Sequence, residues 1–420
     1  MKPVFRKELE YLKFPNMDAW TDKLWVNLRA YVAFNRETGE RVVLGRKVDK
    51  IPWDSSDYMT HEEFFKKHWE ETTEAKVENE RDKLLNWLNE NEVDEVVVSV
   101  SGGKDSTVLE HMTRDIYNKY PHMLLFGNTS NETHYTYKYV KDMYSSKALH
   151  IANPKVGFYE WCDTNGFIPS KLGRACCTIF KEGNITPYLK SLGKESKKLI
   201  HLVGIRASES PSRSAYTQVK KGKWESKEAE KNWNMYLPLF SLTDMDIWAY
   251  LFHHKVPFNV LYEFGYERVG CQACAFRRYY ELELNKHFLP TYHAKWQKLL
   301  EKVFIREGFA VRLNCTLQEY LDGLWKGSDG RTTATDEVVR EFASYRGLSY
   351  EDAQKYFIGY KCQCCGKSLP KDVIAMNIKT LGTNSTGRMC LKCLANYLET
   401  DIKSLKDGII QHKEEGCKWF

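Results

Sequence analysis

The stretch Val96-Val97-Val98-Ser99-Val100-Ser101-Gly102-Gly103-Lys104-Asp105-Ser106-Thr107-Val108-Leu109 constrains this chain more than any other. A β-branched apolar run that ends in two glycines and passes into a helix-compatible segment predicts a buried strand, a tight turn and a helix N-terminus. Two glycines let the backbone approach an anion closely, and Ser101, Ser106 and the turn amides can donate to its oxygens. Lys104 adds positive charge, and Asp105 offers a carboxylate for a divalent cation on the phosphates. The G-x-x-x-x-G-K-S/T spacing of a Walker A loop is absent. The pattern therefore predicts a phosphate-gripping loop of another kind.

From Val93 to about Tyr280, strands and helices alternate, which predicts an α/β domain with a mainly parallel sheet. Further strands are expected at Met123–Phe126, Ala148–Ile151 and Leu199–Ile205. Helices are expected from the loop to near Tyr120 and from Thr133 to Tyr144. In open α/β sheets ligands sit beyond the carboxyl ends of the strands. That puts the phosphate loop, the turn Asn128-Thr129-Ser130-Asn131-Glu132 and the turn Arg206–Arg213 along one crevice. Residues 1–90 read as an N-terminal extension. It holds a β-hairpin, with Trp25–Phe34 and Arg41–Leu44 flanking a polar turn, and then helices over Thr60–Asn91 with Phe64, Phe65, Trp69, Leu84 and Leu88 at helical spacing. It is expected to be scaffold or a docking surface for protein partners. The mixed lysines and glutamates of Tyr216–Trp233 read as a solvated loop near the site mouth.

Twelve cysteines in 420 residues fall mainly into Cys-Cys and Cys-x-x-Cys groups. With no secretory signal visible after Met1, that usage favours metal in a reducing cytoplasm over disulfides. No apolar run is long enough to predict a membrane span. The formal charge of +6 permits a nucleic-acid partner without arguing strongly for one. Cys176-Cys177 and Cys271-Gln272-Ala273-Cys274 supply four thiolates that suit an iron–sulfur cluster, and zinc also accepts four thiolates. Adjacent cysteines fit the separate iron corners of a cubane more easily than one tetrahedral ion. Cys362-Gln363-Cys364-Cys365-Gly366 and Cys390-Leu391-Lys392-Cys393 form a second set, two knuckles with the spacing of a zinc ribbon. Its expected Zn2+ ligands are Cys362, Cys365, Cys390 and Cys393, with Cys364 an alternate and Gly366 serving the first knuckle's turn. Cys162 and Cys315 read as packing residues, and Cys417 has no evident partner.

With these residues in view, the chain resembles the phosphoadenosine-phosphosulfate reductase family of the PP-loop ATP pyrophosphatases over about Val93–Tyr280. The Ser-Gly-Gly-x-Asp-Ser loop carries the resemblance, together with Asn128-Thr129 and Glu132, and Arg174-Ala175-Cys176-Cys177 with Lys181. So do Gly204–Ser210 with Arg213, Pro238-Leu239-Phe240 followed by Thr243–Trp248, and Pro257–Tyr262 leading to Gly270-Cys271 and Cys274. The resemblance implies an adenine-nucleotide α-hydrolase-like fold, a parallel sheet with helices on both faces. It also implies a [4Fe-4S] cluster on Cys176, Cys177, Cys271 and Cys274. Two departures set the chain apart from the reductases. Its phosphate loop is intact where theirs is degenerate, and its C-terminus reads Glu415-Gly416-Cys417 where theirs carries a Glu-Cys-Gly-type tail. Both point towards ATP-using relatives such as the DNA phosphorothioation sulfurtransferases.

The expected organisation is an extension over 1–90, the PP-loop domain over 91–285, a helical connector over 286–355 and a zinc-ribbon-like module over 356–420. The expected function is a cytoplasmic ATP pyrophosphatase that adenylylates a substrate for sulfur transfer, with nucleic acid as a candidate acceptor, using a sulfur donor or thiol reductant. Ser101, Gly102, Gly103, Lys104, Asp105 and Ser106 would grip ATP with Mg2+. Asn128, Thr129, Arg206 and Arg213 would line the nucleotide site, with Lys104, Asp105 and Arg206 catalytic. A sulfonucleotide reductase using Cys417 and a nucleotide- and redox-sensing regulatory or DNA-binding protein are the alternatives.

Overall fold

The computed structural model describes residues 1–27, 30–145, 148–171, 173–221, 233–327, 334–357, 362–365, 367, 369–381, 388–415 and 417. The chain divides into two compact units. The first comprises Met1–Glu160, Ala175–Ala273 and Arg277–His293, and the second Trp161–Arg174, Cys274–Phe276 and Ala294–Phe420.

The first unit opens with a four-stranded antiparallel sheet of β1 (Lys2–Pro3), β2 (Trp25–Asn27), β3 (Ala30–Phe34) and β4 (Arg41–Gly45), in that order. The expected hairpin is there as β3 and β4. The run 25–34, read as one strand, is two, with Asn27 opposite Ala30 and Trp25 opposite Val32. Doubling back sets Trp25 and Val32 side by side in the core, a cross-strand pairing that one long strand would not make. Helices α1 (His61–His68) and α2 (Glu74–Glu90) follow, joined by a wide turn at Trp69–Thr73. Thr60 and Glu63 cap α1 reciprocally, and Phe65, Trp69, Leu84 and Leu88 are buried.

A six-stranded sheet forms the centre of this unit: β5 (Glu95–Ser99), β6 (His122–Gly127), β7 (Leu149–Ala152), β8 (Leu199–Leu202), β9 (Val219–Lys221) and β10 (Trp233–Tyr236). Their order is β7-β6-β5-β8-β10-β9, all parallel except the antiparallel edge strand β9. Alternation along the central strands fills two cores. Val96, Val98, Leu124, Phe126, Ile200 and Leu202 belong to one, with α2, α3 (Lys104–Met112), α4 (His134–Tyr144) and α6 (Asp244–His253). Val97, Met123, Leu125 and Leu199 belong to the other, with Leu189 of α5 (Ile185–Ser191). Both faces are therefore covered, as a parallel sheet requires.

Two local expectations are corrected. The helix after the loop stops at Met112, where the Thr113 hydroxyl bonds back to the Leu109 carbonyl at 2.8 Å, and a 3-10 turn over Arg114–Asn118 continues the chain. Tyr216–Trp233 is not all loop. Val219–Lys221 closes one sheet edge, and Lys220 lies over the Tyr216 ring at 3.1 Å, the kind of charge that discourages further strand pairing. The charged residues between Lys221 and Trp233 lie outside the described residues.

The second unit is helical where described, and includes α7 (Asp336–Arg346), α8 (Tyr350–Phe357), α9 (Lys371–Leu381), α10 (Leu391–Tyr397) and α11 (Ile402–Glu414). Val373, Ile374, Met376, Leu394, Leu405 and Ile409 from α9, α10 and α11 form a small core together with Cys362. Among the described residues, helices rather than ribbon strands support the two cysteine knuckles. Cys162 and Cys315 are buried, as their reading as packing residues requires. No helix among the described residues is long and apolar enough to cross a membrane.

Candidate functional site

Chain order reverses across the sheet between β5 and β8. From β5 the chain moves outward through β6 to β7, whereas from β8 it moves the other way to β10. Ligands in such sheets bind beyond the strand ends at this reversal. The phosphate loop leaves β5 there, and the turn carrying Arg206 leaves β8 beside it. The two turns touch: a Cβ on Gly204 would lie 3.3 Å from the carbonyl of Asp105.

Within the loop, the Ser106 hydroxyl accepts from the Ser101 amide at 3.0 Å and donates to the Gly103 carbonyl at 2.9 Å, closing the turn on itself. The Lys104 amide donates to the Tyr262 hydroxyl at 2.9 Å. Gly102 is the residue with left-handed backbone, φ +75°, and a Cβ there would stand 2.8 Å from Thr136 of α4. Gly103 has φ −92° and would place a Cβ no closer than 3.5 Å to any neighbour. The special conformation therefore belongs to the first glycine of the pair.

Charge converges at the crossover. Lys104, nearly buried, reaches Asp105 at 3.0 Å and Asp244 at 2.8 Å. Arg206, also buried, pairs through Nε with Asp105 and through Nη2 with Asp244 at 3.1 Å, and Nη1 donates to Ser208 at 3.0 Å. Two cations and two carboxylates thus neutralise one another beneath the strand ends. Burial works against the Lys104 charge, but Asp105 and Asp244 outweigh it and hold its pKa above the usual lysine range. Burial likewise works against the Asp105 charge, and Lys104 and Arg206 reverse that and depress its pKa.

Asp244 was not among the residues expected at the site. It stands at the N-terminus of α6, capped by Thr243, inside the Thr243–Trp248 segment that carries the family resemblance, but its partners lie about 40 and 140 residues away in sequence. Asp246 in the same turn faces the N-terminal helices instead. It accepts from Thr73 and Lys76 at 2.9 Å each, meets His68 at 3.1 Å, and caps the Thr243 amide at 2.8 Å. One short helix turn therefore braces residues 61–90 and presents a carboxylate to the crevice.

The other expected residues lie apart from this quartet. Arg213 is paired with Glu209, whose carboxylate also accepts from the Arg206 amide at 3.0 Å. Asn128 holds its own turn, accepting from the Ser130 amide at 2.7 Å and from the Tyr137 hydroxyl at 2.6 Å. Thr129 donates to buried Glu132, whose pKa burial pushes up, and its hydroxyl lies 3.5 Å from the Cys271 sulfur. Asn131 ties the same turn to the cysteine segment, accepting from the amides of Gln272 at 2.6 Å and Ala273 at 3.2 Å. Cys176 immediately precedes the turn Cys177–Glu182 in the first unit, and Cys274 belongs to the second. Among the described residues, one group of metal-ligating side chains has all its ligand atoms within 4.8 Å of one another: Cys362, Cys365, Cys390 and Cys393.

Residues 95–276 match the family described as "Phosphoadenosine phosphosulfate reductase domain". The chain carries a domain of that family. The matched segment holds the phosphate loop, the Arg206 turn and Asp244 together. An uncharacterized protein of Methanocaldococcus jannaschii is 28% identical over 238 residues, covering 55% of this chain and 45% of its own length. The chain spans about half the length of this protein and of a second uncharacterized relative from the same organism. An adenosine 5'-phosphosulfate reductase of Bacillus cereus is 27% identical over 215 residues, 49% of this chain and 86% of that protein. Among solved structures, phosphoadenylyl-sulfate reductase from Candida auris is 21% identical at a TM-score of 0.35, covering 50% of this chain and 94% of that one. The U34-tRNA thiolase NcsA of Methanococcus maripaludis, solved with its [4Fe-4S] cluster, is 14% identical at a TM-score of 0.31, covering 75% and 95%. Both structural likenesses are too weak to add to the family match.

Proposed function

We propose that the family domain is an ATP pyrophosphatase that adenylylates an acceptor oxygen in preparation for sulfur transfer. The observation that carries this reading is the convergence of buried Lys104 and Arg206, from two adjacent strand ends, on Asp105 and Asp244 beside an intact glycine loop. The acceptor oxygen would attack the α-phosphorus, the bond to the bridging oxygen would break, and pyrophosphate would leave with both electrons of that bond. Lys104 and Arg206 are the groups able to stabilise the charge that develops on it, already fixed in place and shielded from water. Arg206 presents a planar fork suited to phosphate oxygens, and Lys104 a point charge.

Mg2+ takes oxygen ligands, and both Asp105 oxygens already serve cations of the protein. In this reading Asp105 positions Lys104 and Arg206, and the more exposed Asp244 shares the Mg2+ with the phosphates. Cys176, Cys177 and Cys271 are proposed as thiolate ligands of a [4Fe-4S] cluster, with Cys274 joining them on spacing alone. When bound, the cluster supplies a carrier for sulfur. Nucleic acid is the proposed acceptor class, and residues 1–90 are the proposed surface for protein partners.

The test is product identity. Anaerobically prepared protein, given ATP, a thiol donor and tRNA or DNA, should yield AMP and pyrophosphate, and Lys104→Ala should abolish both. Sulfite formed from adenosine 5'-phosphosulfate, with no pyrophosphate from ATP, would replace this reading with a reductase. The name of the Bacillus cereus relative favours that second reading. Cys417→Ser would then be the inactive variant, because a reductase needs a thiolate nucleophile.

A further inference from the structure

The second unit holds a cluster of thiols that the proposed function does not use. The sulfurs of Cys362, Cys365, Cys390 and Cys393 lie within 4.8 Å of one another, and those of Cys365 and Cys390 are 3.7 Å apart. Four thiolates around one ion at a Zn–S distance of about 2.3 Å stand about 3.8 Å apart along each tetrahedral edge. A cubane would spread its thiolates over four iron corners instead. Cys364, the sequence alternate, is exposed and outside the group.

The backbone around the sulfurs is built to hold them. In the first knuckle the Cys362 amide donates to the Lys367 carbonyl at 2.7 Å. The Gln363 amide donates to the Arg388 carbonyl at 2.9 Å, which ties the first knuckle to the approach of the second. Asn377 on α9, fully buried, clasps the residue before Cys390 from both sides. Its Oδ1 accepts from the Met389 amide at 2.8 Å, and its Nδ2 donates to the Met389 carbonyl at 2.8 Å and to Val373 at 2.7 Å. A buried amide with its bonds satisfied is costly to disturb, and here it sets the entry of the chain into a ligand. Cys390 then serves as the residue before α10, so the second pair of sulfurs is carried by a helix start.

We infer that Cys362, Cys365, Cys390 and Cys393 bind one Zn2+ tetrahedrally, and that Asn377 is the positioning residue that holds the Cys390 knuckle in ligating geometry. The ion replaces four thiol protons, so binding releases protons and favours the folded module. Groups that orient metal ligands typically change affinity by about 10- to 100-fold when removed.

The experiment uses the full chain, reduced, stripped of metal and titrated with Zn2+ or Co2+ alone, with bound metal measured by emission spectrometry and affinity by chelator competition. The wild type and Cys364→Ser should each bind one equivalent of Zn2+ beyond what Cys390→Ser binds, with a thiolate-to-Co2+ absorption typical of four sulfurs for that equivalent. Cys390→Ser should lose at least nine-tenths of this metal or change that absorption. Asn377→Ala should weaken Zn2+ at least tenfold and keep the four-sulfur Co2+ spectrum at saturation, a signature that loss of the fold would not leave. Helical circular dichroism should rise with Zn2+ in the wild type and reach the same level in Asn377→Ala at saturation. Failure of the wild type to take up Zn2+, equal loss in Cys364→Ser and Cys390→Ser, or unchanged affinity in Asn377→Ala would overturn the inference.

Discussion

The crevice of the first unit and the cysteine cage of the second solve opposite problems of charge. In the crevice, Lys104 and Arg206 are neutralised by Asp105 and Asp244, so the protein's own charges preorganise the site. In the cage, four sulfurs converge with no cation of the protein among the four ligands, so the arrangement calls for a metal ion. A balanced quartet can exchange one anion for another as phosphates arrive. A thiolate cage is committed to a cation and to structure. The contrast is what the proposed function and the inferred Zn2+ site lead one to expect: nucleotide chemistry in the family domain and a structural ion in the helical module.

The sharpest way to break this contrast is to unbalance the quartet. Arg206→Ala leaves Asp105 and Asp244 with Lys104 alone, and removing one partner of a buried pair typically costs about 3–5 kcal/mol. Urea unfolding of the first unit should show a loss of that order. Adding Asp105→Ala should restore part of it, because the uncompensated charge goes too. Cys390→Ser should leave this transition where it was. Equal destabilisation by Cys390→Ser would show that the two regions are not separable.

Acid should act on the first unit through its buried histidines. His61 and His201 are held neutral by burial, which lowers their pKa from 6.5 to about 4. Between those values the unfolded chain binds the protons that the folded one refuses, so stability is fully present above pH 6.5 and falls as pH drops towards 4. Each histidine contributes about 3 kcal/mol over that window at 1.36 kcal/mol per unit. Urea midpoints at pH 7.5 and 5 should differ clearly in the wild type and by less in His201→Gln. A flat profile would contradict the burial argument.

The smallest expected difference in stability is the most local. Gly102→Ala forces a side chain into left-handed backbone against Thr136, at about 1–3 kcal/mol, and should also weaken ATP binding. Gly103→Ala has ordinary room and should be nearly neutral in stability. Reversal of that order would mean that the wrong glycine carries the turn.

Much of this was readable from local pattern. The strand at Val96–Val100, the glycine turn, β6, β7, the helix after Thr133 and the hairpin all follow from periodicity and turn chemistry over a few residues. The cysteine set of the second unit announced itself by spacing. What local pattern lacks is reach. Asp244 lies in a segment that carries the family resemblance, but its role comes from charges drawn from two distant turns, and Asn377 acts through a backbone clasp that no spacing advertises. The strands β9 and β10 are short, and β9 sits at a polar edge where alternation carries no hydrophobic signal. The two glycines of the loop are equivalent as letters, and only their packing against α4 and Tyr262 separates them.

The central claim, that an intact loop with Lys104 and Arg206 grips the β- and γ-phosphates, is tested most directly by competitive binding. Dissociation constants for ATP, AMP and adenosine 5'-phosphosulfate would be measured with Mg2+ on the wild type and on Arg206→Lys. ATP should bind at least tenfold more tightly than either of the others, pyrophosphate alone should compete with it, and Arg206→Lys should erase most of that preference by losing the fork. Tighter binding of adenosine 5'-phosphosulfate than of ATP, with no competition from pyrophosphate, would contradict the account.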